Sequence, residues 1–175
     1  QKILEERYGE KVVELGGLTV TTTLDLELQE KAQQIVSEEI SKVEKQKITN
    51  GGAVVVNPET GEILAMVGSK NFSDPDYDGQ VNVTVALRQP GSSFKPFTYV
   101  TAFKEGYTPS TLIMDVPTTF RGGINLPDYI PVNYDGKYRG PVQVRYALAN
   151  SINIPAVKLL AQVGIKDVLQ TAYDL

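Results

Sequence analysis

The sequence predicts an α+β fold: an antiparallel hairpin packed with helices and preceded by a polar linker. Three observations carry that prediction. Two short, continuous apolar runs, at 53–56 and 63–67, flank the turn-forming stretch Asn57-Pro58-Glu59-Thr60-Gly61. Apolar residues recur at helical spacing both before and after that hairpin. Hydrophobic residues make up 41% of the 175, enough to build a core in one domain.

The elements follow in order. Residues 1–15 read as a short polar helix ending near Gly16-Gly17, and 18–24, rich in Thr and Val, as a strand. Asp25 is a good N-cap, and Leu28, Ala32, Ile35, Val36, Ile40 and Val43 then form one apolar helical stripe. That stripe is read as a face packed on a core, with a partner-binding helix as the alternative. Asn50-Gly51-Gly52 breaks the helix before the hairpin. Continuous rather than alternating apolarity in the two strands predicts that both their faces are covered. Residues 69–91 read as a loop, and Phe94, Phe97, Val100 and Phe103 as the stripe of a helix ended by Gly106, with Pro96 near its start. Four prolines (109, 117, 127, 131) break 107–140 into an irregular excursion with a strand or two. Three helices then follow, at 142–149, 155–163 and 167–173.

Composition removes several functions. The net charge is −4, with a net −3 in residues 1–50, which argues against nucleic-acid binding. No apolar run approaches the roughly 20 residues that span a bilayer, and no secretory signal pattern opens the chain. With no Cys, thiol catalysis and Cys-based metal sites are excluded. With no His, neither a Ser-His-Asp triad nor a histidine metal site can form. A nucleophile must be Ser, Thr, Lys, Tyr or a carboxylate, and a general base must be Lys, Tyr or a carboxylate.

The strongest chemical signal is Gly91-Ser92-Ser93-Phe94-Lys95 at the predicted start of a helix. Ser92 and Lys95 are three apart and share one helical face. A serine hydroxyl needs a neighbouring base, and a lysine whose pKa is depressed by burial can serve. The helix N-terminus adds N–H groups and a dipole suited to developing negative charge. Ser151-Ile152-Asn153 places a hydroxyl and a carboxamide on a link between two helices; the competing reading is an N-cap for the helix opening at Pro155. A second S-x-N, Ser69-Lys70-Asn71, reads as a turn. Asp74-Pro75-Asp76-Tyr77-Asp78-Gly79 imitates the start of a calcium loop, but position twelve is Val85 rather than Glu, so a solvated acidic loop is the better reading.

Together these segments resemble one family. The run Arg88-Gln89-Pro90-Gly91-Ser92-Ser93-Phe94-Lys95-Pro96-Phe97 resembles the active-site segment of penicillin-binding protein transpeptidases. The run Ala147-Leu148-Ala149-Asn150-Ser151-Ile152-Asn153, 59 residues downstream from Ser92 to Ser151, resembles their second motif. Gly17-Leu18-Thr19-Val20-Thr21-Thr22-Thr23-Leu24-Asp25, the hairpin strands and Glu105-Gly106-Tyr107-Thr108-Pro109 resemble the bifunctional class A members. The resemblance implies a partial penicillin-binding/β-lactamase-like transpeptidase fold, with 1–22 an interdomain linker and 23–175 the N-terminal part of the domain.

It also implies a D,D-transpeptidase that cross-links peptidoglycan stem peptides. Ser92 is then the nucleophile, Lys95 its base, Ser151 a proton relay to the leaving nitrogen, and Asn153 a substrate-binding residue that orients Lys95. The Ser92 N–H forms half of an oxyanion hole. β-Lactam antibiotics are expected to acylate Ser92, other cell-wall synthesis proteins are possible partners, and no cofactor or metal is implied. The expected location is the extracytoplasmic face of the bacterial cytoplasmic membrane, in a membrane-anchored parent. One departure matters: the family's third motif, K-T-G or K-S-G, occurs nowhere in these 175 residues. The chain is therefore expected to be an inactive fragment whose hairpin exposes an edge and an apolar face. Two other readings stay open. A serine β-lactamase or penicillin sensor would deacylate through a delivered water. A non-catalytic interaction module would leave Ser92 unreactive even with the third motif restored.

Overall fold

Two units divide the chain, Gln1–Arg88 and Gln89–Leu175. The computed structural model describes residues 2–75, 78–123 and 126–175. In the first unit, α1 (Lys2–Tyr8) and α2 (Glu10–Leu15) replace the single helix expected at 1–15. Gly9 separates them at φ +83°, a conformation that glycine adopts without steric cost and that no α-helix contains. Neither helix buries a residue. The strand expected at 18–24 does not form a ladder. Two hydrogen bonds instead tie the end of this segment to the hairpin: Thr23 Oγ1 donates to the Ile63 carbonyl (2.6 Å), and the Asp25 N–H to that of Leu64 (2.9 Å).

Asp25 caps α3 (Leu26–Val43) as expected, its Oδ1 accepting the Leu28 N–H at 3.0 Å. The helix stops before Asn50, in a single 3-10 turn (Glu44–Gln46) closed by Lys47 at φ +62°. β1 (Ala53–Val56) and β2 (Ile63–Val67) form the predicted antiparallel hairpin, with a register shift between Val55 and Val56. α3 packs on β2. Gln29 on α3 accepts the Met66 N–H (2.7 Å) and donates to the Met66 carbonyl (3.1 Å), so its carboxamide satisfies backbone groups of β2. Only one side of the hairpin is well covered. Ala65 and Val67 are buried, but Val54 and Val56 are 42% and 47% exposed. The expectation of two covered faces therefore fails for β1, whose alternating burial is that of a half-buried strand. The exposed apolar face foreseen for this hairpin is present. Ser69, in the second S-x-N copy, donates to the Gly79 carbonyl at 2.6 Å, as suits a turn. Asp76 and Tyr77 of the calcium-like loop lie outside the described residues.

The second unit opens with a 3-10 turn (Gly91–Phe94) that runs into α4 (Lys95–Lys104). β3 (Leu112–Asp115) pairs antiparallel with β4 (Gly140–Gln143), Ile113 opposite Val142 and Asp115 opposite Gly140. α5 (Val144–Ala149), α6 (Asn153–Val163) and α7 (Ile165–Asp174) complete it. The helix expected at 142–149 starts two residues later, because Val142 and Gln143 close the β ladder. α4 packs against α6 and α7.

The core gathers Tyr99, Ala102, Ile113, Val142, Val144, Ala147, Ile152, Leu159 and Val168. Each fully buried Val, Ile or Leu side chain in it contributes roughly 1.5–3 kcal/mol. The buried face of α4 differs from the predicted stripe. Thr98, Tyr99, Thr101 and Ala102 are buried, whereas Val100 and Phe103 are 38% and 36% exposed. Thr101 can turn inward because its hydroxyl donates to the Phe97 carbonyl (2.8 Å) and meets the Thr171 hydroxyl (2.9 Å).

Candidate active site

The predicted nucleophile segment folds as a 3-10 turn leading into a helix rather than as one α-helix. Gly91, at φ +57°, starts the turn, and Pro96 occupies the first helical turn, where its missing N–H costs nothing. With three residues per 3-10 turn, Ser92 and Lys95 stack on one side. Ser92 is exposed and Lys95 half-buried. Both line a cavity of about 310 Å³ together with Phe94, Tyr129, Asn153 and Leu160.

Lys95 Nζ makes three hydrogen bonds: to the Ser151 carbonyl (2.5 Å), to Ser151 Oγ (3.0 Å) and to Asn153 Oδ1 (2.7 Å). Three acceptors for three ammonium protons saturate the charged form. None of these acceptors is a carboxylate, and burial holds the Lys95 ammonium below the usual lysine range. The two sequence motifs, 56 residues apart at Lys95 and Ser151, thus meet directly. Ser92 shares the cavity with Lys95 and Asn153, and its carbonyl accepts the Lys95 backbone N–H, but among the described residues its hydroxyl bonds neither side chain.

Neither Ser151 nor Asn153 caps a helix through its side chain, so the competing cap reading does not hold. Ser151 sits at φ +51°, a left-handed conformation rare outside glycine. Its N–H bonds the Leu148 carbonyl (3.0 Å) and the Ile152 N–H that of Ala147 (2.9 Å), closing α5. α6 begins at Asn153, two residues before Pro155, and Ile152 precedes it without a side-chain cap.

The cap comes from elsewhere. Asn133 Oδ1 accepts the N–H groups of Asn153 (3.0 Å) and Ile154 (3.2 Å). Sequence reasoning missed Asn133 and its partner Asp115, which is fully buried. A signal for Asp115 existed. It takes the second inward position of β3, where alternation calls for an apolar side chain. A lone Asn in a Pro-rich excursion carries no comparable signal.

Residues 51–175 match the family described as the penicillin-binding protein transpeptidase domain. Over 172 residues the chain is 38% identical to penicillin-binding protein 1B of Vibrio cholerae, covering 96% of this chain and 22% of that protein. It is 34% identical over 174 residues to penicillin-binding protein 2D of Bacillus subtilis, covering 98% of this chain and 24% of that protein. The chain thus spans about a quarter or less of the length of these relatives. The structure of PonA1 from Mycobacterium tuberculosis in complex with penicillin V superposes with a TM-score of 0.71 at 26% identity, covering 98% of this chain and 43% of that one. Fold, matched domain and relatives agree: the chain belongs to the penicillin-binding protein transpeptidase family, in its class A branch.

Proposed function

We propose that the protein is a peptidoglycan D,D-transpeptidase that cross-links stem peptides through an acyl-enzyme on Ser92. Ser92 Oγ attacks the carbonyl of a D-Ala-D-Ala terminus, and its proton passes to neutral Lys95. The C–N bond then breaks, and D-Ala leaves after taking a proton through Ser151. The amine of a second stem peptide then attacks the ester carbonyl and gives a proton to Lys95, neutral again. The ester C–Oγ bond breaks as the new amide forms, and the proton passes to Ser92 Oγ. Asn153 hydrogen-bonds the substrate and keeps Lys95 in place. Burial of Lys95 favours the neutral amine this cycle needs.

One observation carries the reading. Lys95 Nζ bonds Ser151 Oγ and Asn153 Oδ1 beside a cavity that Ser92 also lines. The PonA1 complex with penicillin V supports the further proposal that β-lactams acylate Ser92. Membership of this family also supports an extracytoplasmic location, partners in cell-wall synthesis, and the role of residues 1–22 as an interdomain linker. No helix among the described residues is long and apolar enough to cross a membrane.

The 175 residues contain no K-T-G or K-S-G triplet. Turnover by them alone is expected to be slow, because one missing oxyanion donor costs about 2.7–4 kcal/mol. The test is intact mass after incubation with benzylpenicillin, with Ser92→Ala as control. A covalent adduct that the variant loses is expected. An adduct retained by the variant refutes the assignment, as does no adduct in a chain extended through the third motif.

A further inference from the structure

We propose that Asn133 is the positioning residue that sets Asn153, and through it Lys95, in reacting geometry. The inference rests on the reading of Lys95 and Asn153 as site residues. Asn133 is 4% exposed and uses its full hydrogen-bonding capacity. Its Nδ2 donates to Asp115 Oδ1 and to the Lys137 carbonyl, both at 2.7 Å. Its Oδ1 accepts the first two N–H groups of α6. The opposite amide orientation would set its N–H donors against those of Asn153 and Ile154 and its oxygen against a carboxylate, so only one orientation is stable.

Asn153 is therefore held at both ends. Its backbone N–H bonds Asn133, and its Nδ2 donates to the Val132 carbonyl at 2.8 Å. That leaves Oδ1 facing Lys95 Nζ. Asp115 anchors the chain of contacts from the core side. Its Oδ2 accepts the Arg139 N–H (3.1 Å) and lies 3.6 Å from the Arg139 guanidinium. The 116–139 excursion thus carries the device that fixes where α6 starts and which way Asn153 points. Among the described residues no acidic side chain bonds or pairs with Lys95, and Tyr129 is the other titratable side chain lining the cavity.

The test follows the Lys95 Nζ titration by NMR in lysine-labelled protein, alongside the acylation rate of Ser92 by benzylpenicillin. In Asn133→Ala the titration should move to higher pH as water reaches the loosened ammonium. Acylation should fall on the order of 10²-fold, the size of a misplacement of about 1 Å. Val163→Ala removes core contacts at the far end of α6 and should leave the Lys95 titration in place. If Asn133→Ala does not fold, Asp115→Asn decides, because it keeps the core volume. Losing a carboxylate through space alone would move Lys95 to lower pH, whereas loosening of Asn133 moves it higher. A Lys95 titration in Asn133→Ala that matches that of Val163→Ala overturns the inference, as does a downward move in Asp115→Asn. A wild-type protein that never acylates at Ser92 refutes the functional reading, and the titration then still decides the inference.

Discussion

Replacing Lys95 by Met should separate chemistry from stability. Met keeps length and apolar volume but donates nothing, so the Ser151 carbonyl, Ser151 Oγ and Asn153 Oδ1 lose their shared donor. Each hydrogen bond contributes about 0.5–1.5 kcal/mol net. Ser151 is exposed, so water replaces its two, and only Asn153 Oδ1 is partly shielded. The stability loss should be about 1–2 kcal/mol. In a chain of this size that lowers Tm by about 2–8 °C. The rate should suffer far more. A general base contributes about 10²–10⁴-fold, which is roughly 2.7–5.4 kcal/mol of barrier at about 1.36 per decade. Acylation by a fluorescent penicillin, measured by stopped flow in a chain extended through the third motif, gives the rate; a thermal melt gives the stability. Lys95→Arg is the companion variant. It restores charge and donors but does not deprotonate, so it should recover Tm without recovering rate. A Met variant that acylates within about tenfold of wild type, below the range of a lost general base, shows that Lys95 is not the base.

Two further outcomes follow from the same geometry. Because burial lowers the Lys95 pKa and the neutral amine is the reactive form, acylation should rise with pH and level off below the ordinary lysine value of about 10.4; a rate that falls across that range contradicts the assignment. Ser151→Gly relieves the left-handed backbone at φ +51°, worth about 1 kcal/mol, while deleting the hydroxyl. Its melt should be no lower than that of wild type while acylation drops, and an unchanged rate would exclude a role for the Ser151 hydroxyl.

The parts of the fold readable from sequence are those decided by local chemistry. The Asp25 cap and α3, the hairpin around Asn57–Gly61, and the Ser92–Lys95 turn each depend on a few neighbouring residues whose preferences agree. The failures have physical causes of the same scale. Gly9 split one predicted helix, and Lys47 closed another early by adopting φ +62°. On α4 the aromatic stripe was read as the core face. Phe94 and Phe97 do pack on the core, but tertiary packing buried Tyr99, Thr98 and Thr101 more deeply than Val100 or Phe103, the Thr101 hydroxyl finding partners in Phe97 and Thr171.

The sequence alone determined which side chains could do chemistry. With no His and no Cys in these 175 residues, the base proposed for Ser92 is left to Lys, Tyr or a carboxylate, and spacing put Lys95 on the same turn as Ser92. What spacing could not determine was the company Lys95 keeps. Its bonds to Ser151 and Asn153 cross 56 and 58 residues, and the Asn133 cap on α6 crosses 20. Contacts of that range arise only when the helices close on a shared core. They are set by burial and by the need to satisfy every polar group taken out of water, and a linear pattern records neither.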